Sequence, residues 1–65
     1  MVGTMDAPLT VVAGMPMYNE EETIGTVVTQ AMDYVDHVIC VDDGSSDSSA
    51  RIAEACGAIV HLSLI

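Results

Sequence analysis

Lysine is absent from the 65 residues, and Arg51 is the only basic side chain of the Lys/Arg type against ten carboxylates. The formal net charge of −9 repels phosphate backbones and anionic lipid, which excludes a nucleic-acid or membrane-surface protein. Without lysine there is no phosphate-loop motif, and no Gly-x-Gly-x-x-Gly fingerprint is present either. Two cysteines, Cys40 and Cys56, cannot build a disulfide scaffold, and no Cys/His grouping has zinc-site spacing. No apolar run approaches the ~20 residues of a spanning helix. Met1 to Pro8 has neither the basic segment nor the apolar stretch of a secretory leader. These absences lead us to expect a cytoplasmic location and two reduced thiols packed as small hydrophobes. Acid excess without lysine also suits a salt-rich, halophilic cytosol in which screening quiets self-repulsion.

What is present is core-forming. At 51% hydrophobic the chain is too apolar for an ordinary disordered segment. A chain this short buries only about 60% of its unfolded surface, so it is at most one small domain or a part of one. Residues 1–8 read as a flexible lead and residues 9–65 as the folded part.

Leu9 to Met15 is a short β-branched run without helical period, the pattern of a strand buried on both faces of a parallel sheet. Pro16, which cannot donate to a central ladder, is expected to end it. Asn19 with Glu22 three residues later forms a capping-box pattern, and Glu20, Glu21 and Glu22 would fill the first helical turn, where the dipole favours acids. Ile24, Val27, Val28, Ala31, Met32 and Val35 follow one helical face, and the helix is expected to end near Tyr34. His37 to Asp42 reads as a second strand, running into the turn-forming Asp43-Gly44-Ser45-Ser46-Asp47. Ser46 or Asp47 can cap a second helix from about Ser48 to Cys56, with Gly57 at the C′ position. Ala58 to Ser63 reads as a third strand. The order is β-α-β-α-β, an α/β parallel, Rossmann-like half-sheet, whose ligands belong beyond the carboxyl ends of the strands.

Two segments lie at those ends: Pro16-Met17-Tyr18-Asn19-Glu20-Glu21-Glu22 and Val41-Asp42-Asp43-Gly44-Ser45-Ser46-Asp47. A ring at the first can stack on a base, and a carboxylate at the second can accept a ring N–H from the same base. Neighbouring strands are about 4.8 Å apart, so both can reach one ligand. A calcium loop fails on spacing, because Asp42 and Asp43 are adjacent and Gly44 follows at once. An aspartyl phosphatase would need an acid where Val41 stands. Each residue also has a plainer reading. Pro16 can be a strand stop, Glu20 a helix-dipole acid, Tyr18 a packing residue, Asp42 and Asp43 a turn, and Asp47 a cap.

Val11 to Glu21 resembles the opening strand and Pro-x-Tyr-Asn-Glu-Glu motif of family 2 glycosyltransferases, and Val38 to Asp47 resembles their Val-Asp-Asp-Gly-Ser-x-Asp motif. The linking helix is similar in length and pattern to the branch of dolichol-phosphate mannosyl- and glucosyltransferases. The resemblance covers about Leu9 to Leu62. It implies the N-terminal part of a GT-A fold and a UDP- or GDP-linked nucleotide-sugar partner. Pro16, Tyr18 and Glu20 would line the base and ribose pocket, Asp43 would bond the base, and Asp42 would shape the same wall. The acceptor would be a lipid phosphate or a glycan. The family's Asp-x-Asp metal motif and general base have no counterpart here, so the resemblance implies no catalytic residue and no cofactor of this chain's own, with Mg or Mn expected in a full-length relative. A truncated transferase domain is the reading that follows. The rival reading is a non-catalytic binding or interaction module that self-associates through the open sheet edge.

Overall fold

The computed structural model describes residues 9–63, so the expected lead at residues 1–8 lies outside them. Three strands alternate with two helices: β1 (Val12–Met17), α1 (Ile24–Ala31), β2 (His37–Asp42), α2 (Ser49–Ala55) and β3 (Ile59–Leu62). The strands form one parallel sheet in the order β1-β2-β3. Val12 to Met17 pair in register with His37 to Asp42, and Ile39 to Asp42 pair with Ile59 to Leu62. This is the parallel α/β half-sheet expected from the alternating pattern.

The first strand begins later than its apolar run suggests and continues through Pro16, which pairs with Val41. The carbonyls of Val11 and Met17 both accept bonds from the β2 side, from Asp36, His37 and Asp43. Odd-numbered positions of β1 therefore face the ladder. Pro16 faces the outer edge, where a missing N–H breaks no bond.

Both helices cover one face of the sheet. Met17, Ile24, Val28, Val38, Cys40, Ala53 and Ala58 form the core, with Met15, Ala31, Met32, Val35, Ile52, Cys56 and Val60 packed against it. Each fully covered aliphatic side chain contributes about 1.5–3 kcal/mol. The helices touch at Gly25, where a Cβ would lie 3.2 Å from Ile52 Cγ2 and 3.5 Å from Cys56 Sγ. Burial holds the Cys40 thiol above its ordinary pKa, with the Glu20 carboxylate adding to the effect.

The expectation of strands buried on both faces is corrected. Val12, Val41 and Ile59 are 49%, 37% and 56% exposed on the face opposite the helices. Strands apolar on both sides are the composition of a doubly covered sheet, and the described residues supply one helical layer only. Val27, expected on the inner face of α1, is exposed as well, because that layer covers only a narrow stripe around Ile24 and Val28.

Gly57 ends α2 at φ +106. The Ala58 N–H donates to Ala53 O and the Gly57 N–H to Glu54 O. This is a full Schellman closure, as the glycine position predicts.

Candidate functional site at the strand ends

The carboxyl ends of β1 and β2 stop side by side. The last bond of their ladder runs from Asp43 N–H to Met17 O at 2.9 Å. It sets Tyr18 and Asp43 as the first residues past the paired strands. Both are exposed, Tyr18 at 59%. Gly44 follows at φ +87, a left-handed conformation that turns the chain sharply after the acids.

Asp42 plays a different part from its neighbour. It is buried at 5% exposure on the helical side, and its Oδ1 accepts the Ser45 N–H at 2.9 Å. That Asx-type bond shapes the loop that carries Asp43. Pro16 lies exposed on β1, and Glu20 folds back so that its Oε2 accepts the Tyr18 N–H at 3.1 Å. Tyr18, Glu20 and Asp43 thus meet at one edge, while Asp42 supports them from behind.

The capping box does not form. Helix α1 starts at Ile24 behind Thr23, with no acid in its first turn. Glu20 instead heads a separate turn, its carbonyl accepting from Thr23 and Ile24. Asn19 has φ +49, a conformation that asparagine tolerates better than most residues. It spends its polar atoms across the gap between the two loops: its N–H donates to Ser45 Oγ at 2.9 Å and its Oδ1 accepts the Ser46 N–H at 2.8 Å.

The exchange continues along both segments. Glu20 N–H donates to Ser49 Oγ at 2.6 Å and Glu21 N–H to Asp47 Oδ2 at 3.3 Å, while Ser48 N–H donates to Glu21 Oε1 at 3.0 Å. Backbone donors of each loop are therefore answered by side chains of the other. Asp47, expected as a cap, does accept the Ser49 N–H at 2.9 Å, one residue before the formal cap Ser48, and it also takes the Ser49 hydroxyl. The hydroxyl bond comes first among the causes that hold its carboxyl below the ordinary aspartate value. Ser45 and Ser49 carry this structure, and their residue type is the only sign of it in the sequence.

A depression of 390 Å³ is lined by Asn19, Glu20, Glu21, Glu22, Thr23 and Asp47. Four carboxylates make it a poor seat for a diphosphate. Tyr18 and Asp43 do not line it, and Glu20 joins it to their edge. Among the described residues no group of three or more His, Cys, Asp or Glu is placed to hold a metal ion, and no helix is long and apolar enough to cross a membrane.

Residues 12–62 match the sequence model described as Glycosyl transferase family 2. No curated protein matches the chain. Solved structures do. The crystal structure of Mycobacterium tuberculosis glucosyl-3-phosphoglycerate synthase superposes with a TM-score of 0.74 at 35% identity, covering 82% of this chain and 21% of that one. The same enzyme in complex with Mg2+ and uridine-diphosphate gives 0.73 at 35% identity, over 82% of this chain and 20% of that one. Its complex with Mn2+, uridine-diphosphate-glucose and phosphoglyceric acid gives 0.74, with the same identity and coverage. The chain thus spans about one fifth of the length of these relatives. Its fold is that of the Rossmann-like N-terminal part of GT-A enzymes.

Proposed function

The chain belongs to glycosyl transferase family 2, and on that premise we propose that it forms the nucleotide-recognition part of a sugar transferase, with Tyr18 and Asp43 holding the base of a nucleotide-sugar donor. The observation that carries the reading is the Asp43–Met17 ladder bond, which sets an exposed ring and an exposed carboxylate at adjacent strand ends. Stacking on the Tyr18 ring is worth roughly 1–3 kcal/mol and accepts any base. The Asp43 carboxylate accepting a ring N–H adds about 1.5–3 kcal/mol and selects the base edge, since uracil and guanine each offer such a donor. Pro16 and Glu20 flank the base and ribose, and Asp42 holds the loop that carries Asp43.

The donor is UDP- or GDP-linked, and the uridine-diphosphate complexes of the relatives favour uracil. The acceptor is a lipid phosphate or a glycan. The glucosyl-3-phosphoglycerate synthases extend that range to small phosphorylated acids. Those relatives hold Mg2+ or Mn2+ with their ligands. The described residues of this chain do not fit such an ion by themselves, so recognition of the base is the part of the chemistry that falls to them.

Calorimetric titration of the chain with UDP and with 3-methyluridine diphosphate tests the reading. UDP should bind, and the methylated analogue, which lacks the ring N–H, should bind at least tenfold more weakly. Equal binding of the two, or no binding of UDP, would overturn it.

A further inference from the structure

Reciprocal hydrogen bonds between the two loops tie residues 26 to 29 positions apart in the chain, and they flank Tyr18 and Asp43. Asn19 is the hinge of the set. It follows Tyr18 directly, it is the only described non-glycine residue at positive φ, and it both gives a bond to the serine loop and takes one from it. Behind it Ser49 is completely buried, accepting from Glu20 N–H and donating to Asp47 Oδ1.

We propose that Asn19 is a positioning residue for nucleotide recognition: its side chain clips the Tyr18 loop to the Ser45–Ser46 loop and so fixes the separation between the stacking ring and the base-bonding carboxylate. This rests on the proposed base contacts of Tyr18 and Asp43. The physical reason is that Tyr18 leaves β1 where the ladder has ended, so no strand partner holds its backbone. Of the bonds that replace the ladder, the Asn19 side chain makes the one nearest Tyr18 that crosses to the serine loop, and loosening it would leave a nucleotide to order the loop on binding at an affinity cost. The left-handed turn at Asn19 aims the amide oxygen back at Ser46 N–H, 2.8 Å away. Glycine would keep that turn without strain and the N–H bond to Ser45 Oγ, but lose the side-chain bond to Ser46 N–H. Aspartate would keep the acceptor.

The test therefore uses Asn19→Gly and Asn19→Asp in the 65-residue chain, with two readouts. The first is the backbone order parameter of residues 18–20 and 43–46 in the free chain, by 15N relaxation. The second is the affinity for UDP. In the unaltered chain these amides should be rigid, near 0.85, and in Asn19→Gly they should fall towards 0.6. UDP affinity should drop at least fivefold in Asn19→Gly, whereas in Asn19→Asp, which keeps the acceptor but adds a charge, the order parameters should stay near 0.85. If the unaltered chain binds UDP and Asn19→Gly binds it equally well, the positioning role is wrong while the base-recognition reading stands. If the unaltered chain does not bind UDP, that reading fails. Order parameters unchanged in Asn19→Gly would remove the clip itself.

Discussion

Met17 and Asp43 are joined by the last rung of the β1–β2 ladder, the Asp43 N–H donating to the Met17 carbonyl at 2.9 Å. This one bond makes the Pro-x-Tyr segment and the Asp-Asp-Gly segment a single edge, because Tyr18 and the Asp43 side chain, the proposed base contacts, lie immediately beyond it on each strand.

Asp43→Ala should weaken UDP binding about tenfold or more, since loss of a charge-assisted bond costs about 1.5–3 kcal/mol and leaves the ring N–H unpaired. Asp43→Asn should lose nearly as much, because the charge goes although the shape stays. Thr26→Ala, on the exposed side of α1, should change affinity little. Calorimetry decides, and unchanged affinity in Asp43→Ala would reduce the Asp-Asp-Gly segment to a turn.

Acid stability should depend on Asp47. Its carboxyl is held below the ordinary value, mainly by the Ser49 hydroxyl. A carboxyl with a depressed folded-state pKa stabilises the fold above its unfolded value, about 3.9, and that contribution is lost as pH falls through the lower folded value. Chemical unfolding followed at pH 5, 4 and 3 should show the fall, and Asp47→Asn should flatten it below pH 4. Parallel acid limbs for the two proteins would show that the bonds to Ser49 and Glu21 do not favour the ionised form.

Two glycines should respond in opposite directions. Gly57 sits at φ +106, and a Cβ there would lie 2.8 Å from Met32 Cε. Gly57→Ala should cost about 1–2 kcal/mol for the left-handed backbone alone. Gly14 lies in β1 with no atom within 4 Å of its would-be Cβ. Gly14→Ala should be neutral, or stabilising by up to about 1 kcal/mol through reduced chain entropy. Denaturation midpoints separate the two: an unchanged midpoint in Gly57→Ala, or a lowered one in Gly14→Ala, would contradict the corresponding assignment.

Element order and β2, His37–Asp42, are legible in the sequence, because apolar runs and helical stripes record which residues turn inward. So is the Schellman glycine, since its conformation is a local demand. The start of α1 is not legible. Asn19 and Glu22 have the spacing of a capping box, but Asn19 has partners 26 and 27 residues away in Ser45 and Ser46, and those contacts win over the local cap. Pro16 misleads for a similar reason: whether proline breaks a strand depends on which edge its nitrogen faces, and that is set by pairing. At the candidate site, residue types single out Tyr18 and Asp43 as the proposed contacts. Only the fold separates Asp43, exposed at the edge, from Asp42, buried behind it.

The two thiols should differ in reactivity. Cys40 is fully buried in the sheet with its pKa raised by that burial, while Cys56 is partly exposed at the end of α2. Thiolate is the reactive form, so a thiol-disulfide reagent at pH 8 should modify Cys56 first. Cys40 should follow only at the rate of unfolding. Simultaneous modification in native buffer would show that the core opens readily.

Salt should stabilise the chain by a charge mechanism that one substitution can imitate. Ten carboxylates face one arginine, and Glu20, Glu21, Glu22 and Asp47 crowd one depression. The screening length shortens from about 10 Å at 0.1 M to about 3 Å at 1 M salt. The thermal midpoint should therefore rise between 0.1 and 1 M KCl and level off above. Glu22 is exposed on the rim of that depression, and Glu22→Gln should raise the midpoint at 0.1 M while reducing the further gain from salt. The comparison matters because salt also strengthens apolar burial in general, an effect that removing one charge would leave untouched. A midpoint that climbs with KCl equally in both proteins would assign the stabilisation to burial, and the crowding of acids beside the strand ends would then carry no energetic weight.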